Sequence, residues 1–453
     1  MTVLDVCPAV MRTHLVSIGL VVLLVSSGCL SAPGGNQAQT GAVTASCTNA
    51  AAPDVNITAS DLPASASGGD TPWGIDATAT FTEVERLVGA DGTQPALDVS
   101  GQEIGQTESS TNRWYNNSYF RALGLSPGEG GGAQIAGYTA GNDTVLLNPN
   151  LSTTQAHSTL VHEYVHTLQS QERVWGDWNG WPTPDGIEGR EAWLTNDLLL
   201  EGAATYTEGV YAQRNVDGVG LSDYLDQLHA DYCQSEGASQ WFLAQYYVGA
   251  QHAAASVDDP AELDDLYDQP PITSEQILHN GSGDGLDPMP MGLEAAGDAS
   301  FDTLGAHGNA VSTADFDGNG VLSDRGTQGE LFTRVALSQE LDHSRAVEAA
   351  AGWGNDTMVL TTVFDEEGDA SAQGYLWVTR WDSTADADQF QSAITEFGAQ
   401  RPDTFEMVGD TYELAFQTER PADDTVVTYI GPSSLTEQTT VDIDGGNVTV
   451  GIP

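Results

Sequence analysis

Apolar residues along the chain fall into runs of two periods, and the runs predict most of the elements. Phe81 to Val88 has the spacing of a helix start, in a region where order begins near Trp73. Two short apolar runs, Ala133–Tyr138 and Thr144–Leu147, flank a Gly-Asn-Asp turn and predict a β-hairpin. Ser152 and Gln155 have capping-box spacing, and Ala156, Leu160, Val161, Tyr164, Val165 and Leu168 follow with helical period. Further helices are expected over about Glu191–Tyr211, Ala238–Ala255, Leu331–Ala351 and Ala385–Phe397. Met358–Phe364, Tyr375–Trp381, Thr411–Phe416, Thr425–Ile430 and Thr439–Val450 read as strands. Gly176–Pro184 and Gly281–Gly292 read as loops, and no internal repeat is visible.

The first 70 residues follow a different rule. Met11-Arg12, the apolar run Leu15–Val25 and the small residues Ser26-Ser27-Gly28 predict a secretory signal over 1–28, for which Met11 is as good a start as Met1. The run is short for a membrane span. Cys29, directly after Ser-Gly, resembles the lipid-modified cysteine of a lipobox, although Ser26 stands where leucine is usual. Residues 29–70 are rich in Ala, Ser, Thr, Gly and Pro and read as a flexible tether. The expected organisation is then an α+β domain over 71–300, an α/β continuation over 301–400 and a β-rich segment over 401–453. The protein is expected on the outer face of the cytoplasmic membrane, held by lipid.

Charge sharpens the picture. The chain has 65 acidic residues against 13 basic ones, a net charge of −52, and every cation is arginine. Such self-repulsion is tolerable where salt screens it, since the screening length falls to ~3 Å at 1 M. The excess is read as adaptation to high salt, and it argues against nucleic acid as a partner. With Cys7 and Cys29 in the leader, Cys47 and Cys233 remain, and a disulfide between them is permitted outside the cell. Asn-x-Ser/Thr sequons at Asn56, Asn116, Asn142, Asn150, Asn280, Asn355 and Asn447 are compatible with glycosylation.

The residues that carry chemistry are His162-Glu163-Tyr164-Val165-His166. On a helix, residues four apart share a face, so the two imidazoles can hold one zinc ion while Glu163 reaches a water beside it. Histidine is scarce, at 9 in 453 residues, which makes the match informative. A catalytic zinc needs a third ligand. Gln169–Asn179 contains no histidine, which disfavours the metzincin arrangement. The favoured third ligand is Glu201 in Leu198-Leu-Leu-Glu201-Gly202-Ala203-Ala204-Thr205-Tyr206, whose small residues would let this helix pack closely on the first; Glu191, Asp197 and Glu208 are the fallbacks.

His-Glu-x-x-His on one helix and Glu-Gly-x-Ala-x-Tyr on a later one resemble the gluzincin metallopeptidases. The resemblance implies His162, His166 and Glu201 as ligands, Glu163 as catalytic base, and an edge strand in the 137–147 hairpin that aligns a peptide or protein substrate. Thr205 departs from the family, whose best-known members carry an acid there that supports the ligands. Pro270–His279, Ala349–Gly354 and Trp377–Asp382 are similar to haloarchaeal surface lipoproteins of unknown activity. Tyr246 is the candidate oxyanion donor, with His252 and His279 as alternatives. Asp315, Asp317, Asn319 and Asp324 resemble the start of a calcium loop without its final glutamate, so Ca2+ stands beside Zn2+ as a candidate cofactor. The alternative to an enzyme is a surface binding protein on a zinc-peptidase scaffold.

Overall fold

The computed structural model describes Cys47 and residues 71–105, 118–126, 135–172, 187, 190–216, 219–268, 270–281, 286–297, 299–301, 320–364, 370–407, 410–444 and 446–452. The expected leader, the lipidation residue Cys29 and most of the tether lie outside them, as do Asp315, Asp317 and Asn319. The fold is mixed α+β: small sheets, a helical centre and a C-terminal antiparallel sheet.

Helix α1 (Ala77–Val88) begins where Asp76 accepts a hydrogen bond from the Ala79 amide and ends at Gly89 in left-handed conformation. Strands β1 (Ala96–Asp98), β2 (Gly137–Ala140) and β3 (Thr144–Leu147) form a sheet in the order β1-β3-β2, with β2 and β3 as the expected hairpin. Helix α2 (Thr153–Glu172) packs on β2 and β3. Its capping box forms: the Ser152 amide donates to Gln155 Oε1 at 2.9 Å, and the Gln155 amide donates to Ser152 Oγ at 3.3 Å.

Helices α3 (Arg190–Asn215), α4 (Leu221–Gln234) and α5 (Gly237–Ser256) follow. The α3–α5 crossing is closer than side chains permit. A Cβ on Gly202 would lie 2.2 Å from the Gly249 carbonyl carbon, and one on Gly249 would lie 2.1 Å from Leu198 O. Gly202 therefore faces α5, not α2 as its small size suggested. Ala203 and Ala204 meet the expectation, sharing a buried cluster with Leu160, Tyr164 and Val165 of α2. Among the fully buried residues of α4's apolar face are only Leu225, Ala230 and Tyr232, too thin a stripe to reveal it in the pattern.

The C-terminal half places β4 (Gly292–Gly297), β5 (Ala299–Phe301), β6 (Gly320–Gly326), β7 (Trp353–Phe364), β8 (Ala370–Trp381), β11 (Ala415–Ala422) and β12 (Thr425–Gly431) in two sheets. The larger runs β11-β12-β8-β7-β6-β5, and β4 joins the hairpin β13 (Thr440–Asp444) and β14 (Asn447–Ile452). Strands β9 (Thr404–Met407) and β10 (Asp410–Glu413) form a separate hairpin. Asp324 lies in β6, opposite Val359. The single helix expected over 331–351 is two, α6 (Gly329–Leu337) and α7 (His343–Ala350). Ser338 turns back on Val335 O while the Gln339 amide bonds Gln240 of α5, and this pulls the chain out of helix. The single strand expected over 439–450 is the β13–β14 hairpin, turning at Gly446 with φ 106°. Helix α8 (Thr384–Gln400) covers β8, β11 and β12.

One buried cluster runs without a break from Phe120 and Trp241 to Trp377 and Phe397. Polar ties cross the same boundary. Glu191 at the start of α3 accepts from the Ser274 amide at 2.5 Å and its hydroxyl at 2.8 Å, and Ser274 Oγ in turn accepts from the Leu331 amide of α6. Gly329, at φ +89°, has its Cα against the Glu191 carboxyl, where any Cβ would lie 1.9 Å from Oε2. Asp356 accepts from the amides of Gln328 and Gly329 and from Trp353 Nε1. Cys47 and Cys233 are joined in a disulfide that ties the chain at Cys47 to α4. Asn355 is buried with its amide donating to Met289 O, so this sequon presents no acceptor at the folded surface. Among the described residues no helix is long and apolar enough to cross a membrane.

Two measurements test this framework. Gly249→Ala forces the backbones of α3 and α5 apart and is expected to cost about 1–3 kcal/mol in denaturant unfolding, the usual overpacking penalty. Gly105→Ala, whose added carbon meets nothing within 4 Å, serves as the neutral control. Burial lifts Glu191 from 4.5 to about 8, against the Ser274 donors that favour its ionised form. Above pH 4.5 the unfolded chain releases that proton while the folded one keeps it, so its stabilising contribution falls as pH rises to about 8. Glu191→Gln is expected to flatten that slope, read as unfolding midpoints across the same range.

Candidate metal centre

His162 and His166 project from one face of α2, a turn apart, and α3 carries Glu201 up to them. All three are buried. His162 Nε2 and His166 Nε2 are 3.0 Å apart, and Glu201 Oε2 lies 3.1 Å from the first and 3.3 Å from the second. Atoms bound tetrahedrally at 2.0–2.1 Å around one zinc ion stand roughly 3.3 Å from each other. The three donor atoms thus have the mutual spacing of ligands on one small cation, and they form a candidate metal group.

The ring tautomers point the same way. Gln169 Nε2 donates to Leu200 O at 3.2 Å and to Tyr267 Oη at 2.9 Å, which fixes the amide. Gln169 Oε1 must then face His166 Nδ1, at 2.7 Å, and can only accept. A neutral His166 therefore carries its proton on Nδ1 and a lone pair on Nε2, turned toward Glu201. On His162, Nδ1 stands 3.4 Å from Glu208 Oε2, an ion-pair separation, and Ser158 donates to Glu208 Oε1. Two imidazole lone pairs and a carboxylate oxygen in van der Waals contact repel unless a proton or a cation sits among them. Burial opposes charge on every member. Even so, His166 and His162 hold Glu201 below the ordinary carboxylate range, and Glu201 and Glu208 hold His162 above the ordinary imidazole range. The donor set fits a divalent first-row ion.

Glu163 is buried beside the ligands. Thr139 of β2 donates its hydroxyl to Glu163 Oε2 at 2.9 Å and to the Glu163 carbonyl at 2.8 Å, while Oε1 has no hydrogen-bond partner among the described residues. Burial raises this carboxyl to about 7. Tyr246 of α5 tilts over His162, ring centroids 5.8 Å apart, with its phenol close enough to feel the Glu201, Glu163 and Asp197 carboxylates. Burial, with the Glu201, Glu163 and Asp197 carboxylates, keeps that phenol protonated well above its usual value.

The other candidates lie elsewhere. Glu191 is committed to Ser274, and Asp197, one turn before Glu201, falls outside the ligand group. His252 is buried on α5 outside the ligand group, and His279 Nε2 pairs with Glu330 Oε2 at 3.1 Å. Glu208 is not among the grouped donors but backs His162. It does so from the next turn beyond Thr205, whose own hydroxyl is buried without a partner among the described residues. The motif alone did not reveal Gln169, Thr139 or the supporting role of Glu208. Gln169 and Glu208 share helix faces with the ligands, a detectable signal. Thr139 has none, because the β2–α2 contact is tertiary.

Residues 319–441 match the family described as "Domain of unknown function (DUF8575)", a stretch that begins at β6 and takes in every strand of the large sheet but β5. No curated protein and no solved structure matches the chain.

Support from behind the ligands is measurable. Glu208→Gln and Gln169→Leu are each expected to weaken metal binding ~10–100-fold with unchanged circular dichroism. Competition against a chromophoric chelator gives the affinities.

Proposed function

We propose that this chain is an exported zinc metallopeptidase of the gluzincin type, anchored by lipid at Cys29 on the outer face of the membrane, which hydrolyses peptide bonds. The observation that carries the reading is Glu163: a buried carboxylate with one oxygen held by Thr139 and the other unpartnered, next to three convergent donor atoms. A purely structural metal site requires no such group, and leaving one buried is costly.

His162, His166 and Glu201 would hold the zinc ion, which when bound supplies a Lewis acid for the scissile carbonyl and acidifies water. Glu163 Oε1 accepts the proton of the attacking water, at a basicity suited to neutral pH. The Thr139 bond keeps the carboxylate from rotating away. The Tyr246 hydroxyl, held protonated, donates to the developing oxyanion. Strand β2, at the edge of its sheet among the described residues, offers backbone groups to an extended peptide. The Cys47–Cys233 disulfide supports an oxidising location.

Glu163→Gln is expected to keep one equivalent of zinc by elemental analysis and to lose ~10²–10⁴-fold in cleavage of an unfolded protein substrate at molar salt. Equal cleavage by both forms would overturn the mechanism. Zinc bound by both with cleavage by neither would favour a binding protein on this scaffold.

A further inference from the structure

A second group of metal-type ligands lies at α4, and the catalytic reading above gives it no chemistry. On α4, His229 and Cys233 stand one turn apart on one face, and Cys47 reaches them from the tether region. A ring nitrogen of His229 and the two sulfurs all lie within 4.8 Å of one another. The His229 ring stacks on Tyr247, centroids 4.8 Å apart and planes 17° apart, which fixes its orientation. Its Nε2 is buried and has no hydrogen-bond partner among the described residues. An oriented imidazole beside two sulfurs, with a buried nitrogen that has no partner among the described residues, is more than a disulfide needs.

We propose that Cys47, Cys233 and His229 form a second metal site, gated by thiol–disulfide exchange and taking a thiophilic dication such as zinc. While the disulfide is intact the sulfurs have no thiolate to offer, and the site is closed. Two equivalents of a small-molecule thiol supply two electrons and two protons, break the S–S bond and leave as one disulfide. The dication then displaces the two thiol protons and forms two metal–sulfur bonds. His229 gives the third bond and solvent the fourth. Thiolates on one zinc stand about 3.8 Å apart, which side-chain rotation reaches from Cα atoms 5.4 Å apart. The clamp between tether and α4 would thereby survive reduction, with a coordinate link in place of the covalent one. The proposal is independent of the hydrolase reading.

Cobalt(II) tests it, because only sulfur ligands give an intense sulfur-to-cobalt charge-transfer band in the near ultraviolet. His162, His166 and Glu201 contain no sulfur, so cobalt there is silent in that band. The full chain is titrated with cobalt at molar salt, without oxygen, before and after reduction by dithiothreitol and its removal. The expected result is no band when oxidised, then one further equivalent of cobalt and the band when reduced, whatever the His162–His166–Glu201 group takes up in both states. Cys233→Ser should abolish the band. His229→Ala should retain a weakened band, with cobalt affinity lowered at least the ~10–100-fold that losing a mere outer-shell partner costs. Absence of the band after verified loss of the disulfide would overturn the proposal, as would a band and affinity unaffected by His229→Ala. The oxidised wild-type chain serves as its own folding control.

Discussion

The backbone contact between Gly202 and Gly249 is the constraint on which the centre depends. Glu201 precedes Gly202 directly, so the position of its carboxylate is set by how closely α3 can approach α5. Ridge-and-groove packing keeps helix axes 8–10 Å apart, and two glycines at the crossing bring this pair to the close end. Tyr246 lies one turn before Gly249 on α5, so the same contact brings its ring over His162, beside Glu201. Two groups from two helices are thus placed by one crossing, and α2 meets them through Ala203, Ala204, Tyr164 and Val165. The far end of α3 is fixed separately, where Glu191 meets Ser274 and Gly329. A long helix fastened at one end and crossed tightly near its middle has little freedom to slide, and a ligand on it keeps its place.

Charge sets a second limit. With 13 arginines and no lysine against 65 acids, a buried carboxylate cannot count on a cation. Glu330 obtains two, Arg334 and His279, and its pKa falls despite burial. Asp356 has backbone amides and an indole instead, and burial still raises it to about 6. Glu275 rises to about 9 through burial, with Glu330, Asp382 and Glu191 adding to it. The interior therefore manages its acids by protonation as much as by pairing. Against that background Glu201, held low by two imidazoles, is an exception. It sits where a dication would complete the neutralisation that the chain's own cations do not supply.

Much of this was legible in the residues. The hairpin, the capping box at Ser152, and the helices bearing His162 and Glu201 follow from periodicity and local spacing, which act within a few residues. The choice of Glu201 as third ligand followed from an acid on a later helix flanked by small residues, the resemblance added to it, and Glu201 does join the two histidines. What failed to show in the pattern was tertiary. Helix 331–351 breaks because Gln339 finds Gln240 and Gly237 on another helix. The strand expected over 411–416 divides at Leu414, because β10 pairs with β9 and β11 pairs with β12. Strands β4 to β6 pair partners far along the chain and lack clear alternation.

The departure at Thr205 shows what a motif position does and does not specify. The second ligand shell requires an acceptor near Nδ1 of each imidazole, so that Nε2 keeps its lone pair for the metal. It does not require that acceptor at a fixed place in the sequence. Here the carboxylate comes from Glu208, the next turn of α3, with Ser158 of α2 holding its other oxygen. His166 is served by a neutral amide, Gln169, on its own helix. One charged and one neutral acceptor leave the ligand shell less negative than two carboxylates would. In a chain already so acidic, that lowers the cost of keeping Glu163 and Glu201 buried side by side.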